Sequence, residues 1–597
     1  MCGIAGVSNY DGQVLIEHMI AALYHRGPDS GGTYRDESRV HLGMRRLAIV
    51  GVQDGHQPMQ SSCGRYVIVF NGEIFNSKHL RAELENKGYI FRTRGSDTES
   101  LLNAYIEWGR ECTDRLNGMY AFVVYDKKER ILFGARDFFG IKPLYFHCSN
   151  SGFAFASEIR SLLLVPWVSK TLKTKGVENY LRLQYLAPGE TIFKEVKPLM
   201  PGESFTYTLS TRQLELRARK RLIERGQRQQ NTFDTNELYK QLKGAIKRWS
   251  ISEKPLGYSL SGGLDSGLIV ALGQEICDFD AKTWTVQFEN DREEADIATL
   301  LANKLGTEHT TIEISTTDIV GDIDRMVDAM EEPYGGGLPS WFVYKEASKS
   351  VRVLLTGTGG DELFGNYQKW KYLQKRKWSF WKAAIGTFLE AGSEKKNKAW
   401  CHLYPTKIRE NELERIFNNG ALETRKSDML YKILKPKIFN NSKDYIAELD
   451  SKLQLPGEFL NMTDRFSMHW SLEARCPLLD LELARYVFSH STEARTGRAG
   501  QKYKYQLREL AKTHLPHEYI NAPKRGFGNK FNRIYKALPL EEISYLYSES
   551  FISKQGIFSV SGLKIMITEW EERDKDGYEK LWTLYMFQKW WSKNYDK

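Results

Sequence analysis

A cysteine stands at the second position of the chain, directly after the initiator methionine and before a glycine. Trimming of Met1 by an aminopeptidase, which acts before small residues, would make Cys2 the amino-terminal residue. The α-amine of such a residue has a pKa of about 8 and can accept the proton of the neighbouring thiol. One residue would then supply both the nucleophile and the base for acyl transfer. The alternative is that Cys2 is a small buried core residue.

Four later segments carry groups that an acyl-transfer site needs. His25–Asp29 (HRGPD) is a Gly-Pro turn flanked by charges, and Arg46 precedes the apolar run that ends at Val50. Arginine is the usual bidentate partner of a carboxylate. Asn71 with the N–H of Gly72 can stabilise an oxyanion, and the carboxylate of Asp97 at a helix start could hold an amine. Each segment alone is also explained as a turn, a surface charge, a hairpin loop or a helix cap.

A second group of residues is suited to binding phosphate. Ser261–Ser266 (SGGLDS) lies between a predicted strand and a predicted helix. Two glycines let backbone N–H groups approach an anion, and the helix N-terminus favours negative charge. Ser261 and Ser266 add hydroxyl donors, and Asp265 can reach a divalent cation. The segment lacks the G-K-[ST] ending of a P-loop, so a nucleotide site is predicted, but not a γ-phosphate-transferring NTPase.

The hydrophobic pattern separates two parts of different architecture. Residues 1–210 contain short alternating apolar runs, which predict a β-rich unit. Residues 211–231 are polar and basic and are predicted to be a linker. Residues 232–597 alternate strands and helices before becoming mostly helical after about Trp370, which predicts a parallel sheet with right-handed crossovers. The predicted strands are Tyr66–Phe70, Met119–Tyr125, Ile131–Ala135, Phe153–Ala156, Leu256–Leu260, Lys282–Phe288 and Arg352–Leu355; the predicted helices are Ser96 to about Trp108, Gly267–Ile276, Ala295–Leu305 and Ser340–Ser350.

The composition excludes several classes of protein. The 597 residues are 41% hydrophobic and 27% charged, which is an ordinary globular balance, and no stretch approaches the ~20 apolar residues of a membrane helix. The first ten residues do not resemble a signal peptide, so a cytoplasmic protein is expected. Seven cysteines form no CxxC pair and no disulfide framework. The net charge of +10 is spread along the chain, and the basic run Arg217–Arg228 is interpreted as a solvated linker, with nucleic-acid binding a weak alternative.

The motifs of the first part resemble those of class II glutamine amidotransferases, and more narrowly the glutaminase half of glutamine-hydrolysing asparagine synthetases. The resemblance covers about 165 residues and follows the order Cys2, HRGPD, RRLAIV, NGEIFN, GSDTE, GMYAFVVYD, ARDFFGIKPLY, ASEIRSLL. It implies that Cys2 attacks the glutamine amide and that Asn71 and Gly72 stabilise the oxyanion. The implied glutamine-binding residues are Arg46, Leu47, Ala48, Ile49 and Val50 for the carboxylate, and Glu73 and Asp97 for the α-amine.

The motifs of the second part are similar to those of ATP-pyrophosphatases and of the synthetase half of the same family. SGGLDS is matched by a later acidic motif at Thr356–Gly365 and by the segment Ser467–Asp480 (SMHWSLEARCPLLD). The resemblance implies that Asp265 and Asp361 share Mg²⁺ on the pyrophosphate. The implied contacts with ATP and pyrophosphate are Ser259, Leu260, Ser261, Gly262, Gly263, Asp265, Ser266, Val286, Thr356, Gly357 and Lys504.

These resemblances imply an α/β and α+β protein: an N-terminal Ntn-hydrolase αββα sandwich, followed by a doubly wound parallel-sheet ATP-pyrophosphatase domain with a mostly helical C-terminal part. The implied domains are a glutaminase at 1–210 and a synthetase at 232–597. The implied reaction uses glutamine, ATP and Mg²⁺ to amidate a carboxylate through an acyl-adenylate, foremost aspartate to asparagine. An internal ammonia tunnel and a homodimer are also implied, and neither a nucleic acid nor a membrane is expected as a partner.

One departure from the family pattern affects the choice of acceptor. The family places Asp or Glu at the third position of SG[DE]G[GS]DE, whereas this chain has Thr358, which cannot act as a base near neutral pH. The glycine triplet Gly335–Gly337 is also unusual and is expected to leave room for an acceptor bulkier than aspartate. Amidation of another carboxylate, such as a sugar uronate of a surface polysaccharide, is therefore the alternative. A catalytically inactive binding protein is a further alternative, against which the presence of both Cys2 and SGGLDS argues.

Overall fold

The computed structural model describes most of the chain. The residues described are 2–9, 13–218, 222, 231–276, 281–289, 291–365, 401, 404–418, 420, 422–434, 442–497, 501–522 and 531–596. The statements below concern these residues.

The N-terminal part is built on two six-stranded antiparallel sheets. The first has the order β10-β8-β9-β1-β3-β2 and the second the order β12-β11-β7-β6-β5-β4. The alternating apolar runs place one face of each sheet against the other, and Val69 and Val123 of one sheet pack in the same core cluster as Ile4 and Leu42 of the other. The strands are β1 Cys2–Ser8, β2 Ser30–Arg35, β3 Val40–Arg46, β4 Met59–Gln60, β5 Tyr66–Ile74, β6 Gly118–Asp126, β7 Ile131–Arg136, β8 Tyr145–Ser149, β9 Gly152–Ala156, β10 Lys197–Pro198, β11 Glu203–Thr208 and β12 Gln213–Ala218.

Helices cover the outer faces of both sheets, which completes the predicted αββα sandwich. Leu80 and Leu101 of two of these helices pack on Phe70 of the second sheet. The helices of this part are α1 Gln13–Ala21, α2 Ser77–Asn86, α3 Asp97–Trp108, α4 Ile159–Leu162 and α5 Thr174–Leu183, with 3-10 turns at Tyr24–Arg26 and Gly109–Asp114. The predicted helix over 97–108 is confirmed, although the Ser96 side chain makes no capping hydrogen bond.

The C-terminal part contains a five-stranded parallel sheet, as the strand and helix alternation predicts. Its order is β15-β14-β13-β16-β17, and every neighbouring pair is parallel. The strands are β13 Leu256–Ser259, β14 Lys282–Phe288, β15 Glu308–Ile314, β16 Val353–Leu355 and β17 Glu473–Arg475. The edge strand β17 was not predicted, because only three residues of the SLEAR segment form it.

Helices surround this sheet and make up most of the chain after it. They are α6 Thr235–Trp249, α7 Leu264–Ile276, α8 Glu293–Leu305, α9 Thr316–Met330, α10 Leu338–Ala347, α11 Gly360–Phe364, α12 Glu410–Ile416, α13 Lys426–Leu434, α14 Ser442–Leu449, α15 Leu460–His469, α16 Leu481–Phe488, α17 Thr492–Thr496, α18 Tyr505–Ala511, α19 His517–Asn521, α20 Phe531–Lys536, α21 Leu540–Leu546, α22 Glu549–Gln555, α23 Val560–Glu571 and α24 Asp574–Tyr595, with a π-helix at Asp450–Phe459 and a 3-10 turn at Pro477–Leu479. Among the described residues, no helix has the length and apolar character needed to cross a membrane.

The segment predicted to be a linker is partly structured. Residues 213–218 form β12, which pairs along its whole length with β11 at the edge of the second sheet. Residues 213–218 therefore belong to the second sheet, although the prediction placed them in the linker. Most of the basic run Arg217–Arg228 lies outside the described residues, so its interpretation stays a prediction.

Asp480 anchors the two parts to each other. This carboxylate is fully buried and accepts hydrogen bonds from Arg248 (2.7 and 3.0 Å), from the Trp249 indole (3.0 Å) and from the Asn117 amide (3.0 Å). Arg248 and Trp249 belong to α6 of the C-terminal part, whereas Asn117 precedes β6 of the sandwich. Next to this cluster the Trp249 ring packs on Phe75 at a centroid distance of 4.3 Å.

Replacing Asp480 by alanine should strongly destabilise the protein, because it leaves a guanidinium, an indole and an amide without their buried acceptor. We expect a loss of about 3–5 kcal/mol in the free energy of unfolding. Glu482→Ala is the matched control, since this side chain is half exposed and pairs with the same Arg248 at the surface, where an ion pair contributes about 0–1 kcal/mol. Urea unfolding measures both variants, and equal midpoints would contradict the anchoring role.

Candidate active sites

Cys2 opens β1 and lies at the boundary between the two sheets. Its side chain is buried, and the Leu47 N–H donates a hydrogen bond to its sulfur. Burial raises the pKa of the Cys2 thiol, although the Arg46 guanidinium and the Leu47 N–H act in the opposite direction. A thiol in this environment is not spontaneously ionised at neutral pH, so a reaction at Cys2 needs a base.

Asn71 lies beside Cys2 and has an unused donor. Its Oδ1 accepts a hydrogen bond from the Cys2 backbone N–H at 3.0 Å. Its Nδ2 is fully buried and has no hydrogen-bond partner among the described residues. Buried polar atoms are nearly always paired. A buried amide N–H that has no partner and lies next to a candidate nucleophile is therefore suited to donating a hydrogen bond to an oxyanion of the substrate.

Gly72 follows Asn71 within β5, which continues through the segment expected to be a loop. A Cβ at this position would lie 2.0 Å from the Met119 carbonyl oxygen, and φ is +150°, so only glycine fits. Tyr120, which is opposite Gly72, directs its own backbone groups to Asp137, the residue that follows β7. The Gly72 N–H therefore points away from β6.

Arg46 shapes the loop that the resemblance assigns to glutamine. Its guanidinium donates to the carbonyl oxygens of Val50 (3.2 Å), Gly51 (2.6 Å) and Val52 (3.1 Å). Asp29 holds the same loop from the other side by accepting the Ala48 N–H at 2.8 Å. A guanidinium has five donors, so Arg46 can bind a carboxylate while it organises this loop. We call residues 47–52 the glutamine loop.

Glu73 and Asp97 form a buried pair of carboxylates next to Cys2. Burial raises the pKa of Asp97 to about 6, although the Ile74 N–H donates to it at 3.0 Å. The pKa of Glu73 lies well above its usual value because of burial, and because of the nearby charges of Asp97 and of Glu473 in β17. A cation between them would relieve this repulsion, which is the chemistry that recognises an ammonium group.

A cleft of about 540 Å³, open to solvent, borders Glu73. The sandwich contributes Val50, Glu73 and Phe75 to its lining, and the C-terminal part contributes Ile251. The cleft is therefore a joint feature of both parts of the chain.

The SGGLDS segment connects β13 to α7, as predicted. Ser261 Oγ accepts from the Gly263 N–H (3.1 Å) and contacts Ser266 Oγ at 2.9 Å, so the two hydroxyls fasten the turn. Tyr519, which the sequence did not single out, donates its hydroxyl to the carbonyl oxygens of Ser261 (2.5 Å) and Gly263 (2.9 Å). These bonds fix the turn at the N-terminus of α7, where the first N–H groups of the helix can bind an anion.

Lys504 is fully enclosed between two carboxylates at this loop. Its ammonium forms ion pairs with Asp265 and, at 2.6 Å, with Asp361. Burial would lower the pKa of Lys504, but the charges of Asp265 and Asp361 raise it above its ordinary value. Asp265 Oδ1 is buried without a hydrogen-bond partner in the described part of the chain. Two carboxylates with an unused oxygen fit a hard cation that keeps its other ligands from phosphate and water.

The remaining predicted nucleotide contacts surround the same loop. Gly357 approaches it closely, since a Cβ there would lie 3.1 Å from the Ser266 nitrogen. Thr356 is anchored by its N–H to the Arg475 carbonyl oxygen at 2.8 Å. Ser259 ends β13, Leu260 donates its N–H to the Trp284 carbonyl oxygen (2.8 Å), and Val286 lies two residues further along β14.

Thr358 lies in a neutral environment in place of the family's carboxylate. Its hydroxyl accepts from Thr356 Oγ1 at 3.1 Å. The thiol of Cys476 also hydrogen-bonds to both threonines. Burial raises the pKa of this thiol to about 11, so it is neutral as well. Three neutral donors therefore meet at this position.

The glycine triplet does not provide the room that was expected of it, and that prediction is wrong. A Cβ on Gly337 would lie 2.6 Å from Met462 Cγ, and one on Gly336 would lie 2.9 Å from the Tyr334 hydroxyl. The space in front of both glycines is thus filled by side chains of the protein itself. The Trp582 indole also donates to the carbonyl oxygen of Gly335 at 2.8 Å, which holds the segment in place.

Arg26 joins the candidate nucleophile to the C-terminal part, and sequence reasoning assigned it only to a turn. Its buried guanidinium donates to the Cys2 carbonyl oxygen (3.1 Å), to Glu158 (2.8 Å) and to both oxygens of Asp464 (2.7 and 3.1 Å). Burial would lower the pKa of Arg26, but Asp464 and Glu158 raise it. No sequence signal could have identified Asp464, which is 438 positions away.

Two family models match consecutive parts of the chain. Residues 1–218 match the model of a glutamine amidotransferase domain, and residues 237–592 match that of asparagine synthase. The chain is 31% identical to glutamine-hydrolyzing asparagine synthetase 1 of Bacillus subtilis (strain 168), over 100% of this chain and 97% of that protein. It is 32% identical to asparagine synthetase 3 of the same organism (62% of this chain, 63% of the relative) and 30% identical to asparagine synthetase B of Escherichia coli K12 (58% and 60%).

These matches define the class as a glutamine-dependent ligase, in which an amidotransferase domain precedes a synthase domain. The chain belongs to the asparagine synthase family, as its motifs indicated.

The raised pKa of Asp97 predicts how glutamine binding depends on pH. The ionised carboxylate holds an ammonium group and the protonated one does not, so affinity should fall as the pH drops below about 6. At pH 5 we expect roughly tenfold weaker binding than at pH 7.5. Calorimetric titration of glutamine into the Cys2→Ala variant measures this without turnover, and Asp97→Asn in the same background should bind weakly at both pH values. A dissociation constant that is equal at pH 5 and 7.5 would argue against this assignment.

Proposed function

We propose that this protein makes asparagine from aspartate, using ATP and the amide nitrogen of glutamine, with release of glutamate, AMP and pyrophosphate. The observation that carries the proposal is the Asn71 amide: its Oδ1 accepts the N–H of Cys2, and its buried Nδ2 has no hydrogen-bond partner among the described residues. A structural cysteine would not need such a donor. The full-length similarity to glutamine-hydrolyzing asparagine synthetases supports the choice of acceptor.

In the proposed first half-reaction, Cys2 acts as an amino-terminal residue after loss of Met1. Its α-amine takes the thiol proton, because burial keeps the thiol protonated. The sulfur attacks the side-chain carbonyl carbon of glutamine, while Asn71 and Gly72 hold the oxyanion. The proton passes to the leaving nitrogen, ammonia departs, and water hydrolyses the thioester to glutamate. Arg46 would hold the glutamine carboxylate, and Glu73 with Asp97 its α-amine.

In the proposed second half-reaction, a carboxylate oxygen of the acceptor attacks the α-phosphate of ATP and pyrophosphate leaves. The N–H groups of Ser261–Ser266 would bind the departing phosphates, and Lys504 would neutralise their charge. Ammonia then attacks the acyl carbon and AMP leaves. The acyl-adenylate is needed because a free carboxylate resists attack by nitrogen, whereas a mixed anhydride carries a good leaving group.

Asp265 and Asp361 are the residues that would hold Mg²⁺. The ion would neutralise phosphate charge when bound. In the structure both carboxylates form ion pairs with the Lys504 ammonium, which would lie next to the bound ion and the phosphates.

A second candidate acceptor is a different carboxylate, such as a sugar uronate. Thr358 favours it, since this neutral side chain cannot take the proton that a family carboxylate would accept from the attacking nitrogen. The filled space at the glycine triplet removes the other argument for a bulkier acceptor.

An acceptor panel tests the assignment. Purified protein is incubated with ATP, magnesium and ammonium, together with aspartate, glutamate or a uronate, and pyrophosphate release is followed. We expect release with aspartate and background with the others. Release with a uronate alone would replace aspartate by the second candidate, and release with none would overturn the ligase assignment.

Replacing Cys2 by alanine should separate the two half-reactions. Glutamine-dependent product formation should fall by about 100-fold or more, because the nucleophile is lost, while ammonium-dependent formation should stay within about twofold. Cys63→Ala is the control, since that cysteine is exposed and distant in sequence. Equal product formation from both nitrogen sources in the Cys2 variant would refute the nucleophile.

A further inference from the structure

The segment 249–253 of the C-terminal part makes direct contact with the glutamine loop. The carboxylate of Glu253 accepts the N–H groups of Gly51 (2.7 Å) and Val52 (3.3 Å). In return, the Glu253 N–H donates to the carbonyl oxygen of Ile49 at 3.0 Å. Three hydrogen bonds therefore connect one residue of the synthase domain to Ile49, Gly51 and Val52 of the glutamine loop.

These bonds complement those of Arg46, because the two side chains bind different backbone groups of the same residues. Arg46 binds the carbonyl oxygens of Val50, Gly51 and Val52, whereas Glu253 binds N–H groups of the same turn. The Arg46 cation therefore binds carbonyl oxygens of the turn, and the Glu253 anion binds its N–H groups. Hydrogen bonds to a carboxylate are about twice as strong as neutral ones, so Glu253 is a substantial part of this support.

The turn is close to the candidate nucleophile. Leu47, at its start, donates its N–H to the Cys2 sulfur, and Val50 lines the cleft beside Glu73. A change in the shape of residues 49–52 would therefore alter the cleft, while Cys2 and Asn71 keep their own bond within the sandwich.

The same segment is tied to the nucleotide side at its other end. Arg475 of β17 donates to the carbonyl oxygens of Trp249 (2.7 Å) and Ile251 (2.6 Å). The carbonyl oxygen of Arg475 accepts the N–H of Thr356. Hydrogen bonds thus connect Thr356, beside the SGGLDS loop, through Arg475 to Ile251, and the backbone leads two residues further to Glu253, which bonds to Gly51.

We propose that Glu253 is a positioning residue for glutamine: the synthase domain uses this carboxylate to hold the glutamine loop in its binding shape. The affinity of the amidotransferase domain for glutamine then depends on a residue of the other domain. The inference rests on the proposed hydrolysis of glutamine at Cys2 and adds that the pocket is incomplete without the second domain.

The test compares Glu253→Ala, Glu253→Gln and Lys254→Ala in the full-length chain. Glu253→Ala should raise KM for glutamine in the glutaminase assay about tenfold, which corresponds to about 1.4 kcal/mol, with kcat within about twofold. Glu253→Gln, whose amide oxygen still accepts one N–H, should fall between the wild type and the alanine variant. Lys254→Ala, in the same exposed segment, should match the wild type.

Ammonium-dependent pyrophosphate release provides the second readout, because it bypasses the glutamine pocket. It should be the same in all four proteins. Loss of ammonium-dependent and glutamine-dependent activity together in Glu253→Ala would overturn the proposal, since it would indicate general damage to the fold. An unchanged KM in Glu253→Ala would also overturn it. Absence of glutamine hydrolysis in the wild type would instead show that the proposed function itself is wrong.

Discussion

The structure depends on keeping the buried guanidinium of Arg26 paired. It contacts the backbone of Cys2 in the sandwich and the carboxylate of Asp464 in α15 of the other domain. A buried charge that loses its partner costs several kcal/mol, so the two domains cannot separate at this point without a large loss of stability. Glu158 supplies a second anion to Arg26 and to Arg465. Arg26 therefore fixes the position of the candidate nucleophile relative to the synthase domain.

Electrostatics differ at the two candidate sites in a way that suits their proposed ligands. Glu73 and Asp97 are buried together, and burial raises the pKa of both carboxyl groups. They gain most when an ammonium group arrives. Asp265 and Asp361, in contrast, both form ion pairs with the buried ammonium of Lys504. The pair Glu73 and Asp97 is therefore suited to an incoming ammonium group, whereas Asp265 and Asp361 are already paired with a lysine of the chain.

The local elements could be predicted because their causes are local. Alternating apolar residues produced β6 and β7, and the strand, glycine loop and helix around Ser261 follow one another directly. Predictions that depended on contacts between residues far apart in the sequence were less successful. The glycine triplet suggested free space, but Met462 and Tyr334 fill it. Strand β17 has three residues and no pattern of its own, and it exists because β16 pairs with it.

The amino-acid sequence by itself determined the reactive groups and their order: an amino-terminal thiol, an amide, carboxylates and a phosphate loop, since each is recognisable from residue type and close spacing. Only the tertiary structure decided which distant residues support them. Arg26 meets Asp464, Tyr519 meets Ser261, and Glu253 meets Gly51, across separations of about 200 to 440 residues. Such pairs form wherever the packed chain brings a donor and an acceptor from distant segments together, and no local sequence pattern encodes that choice.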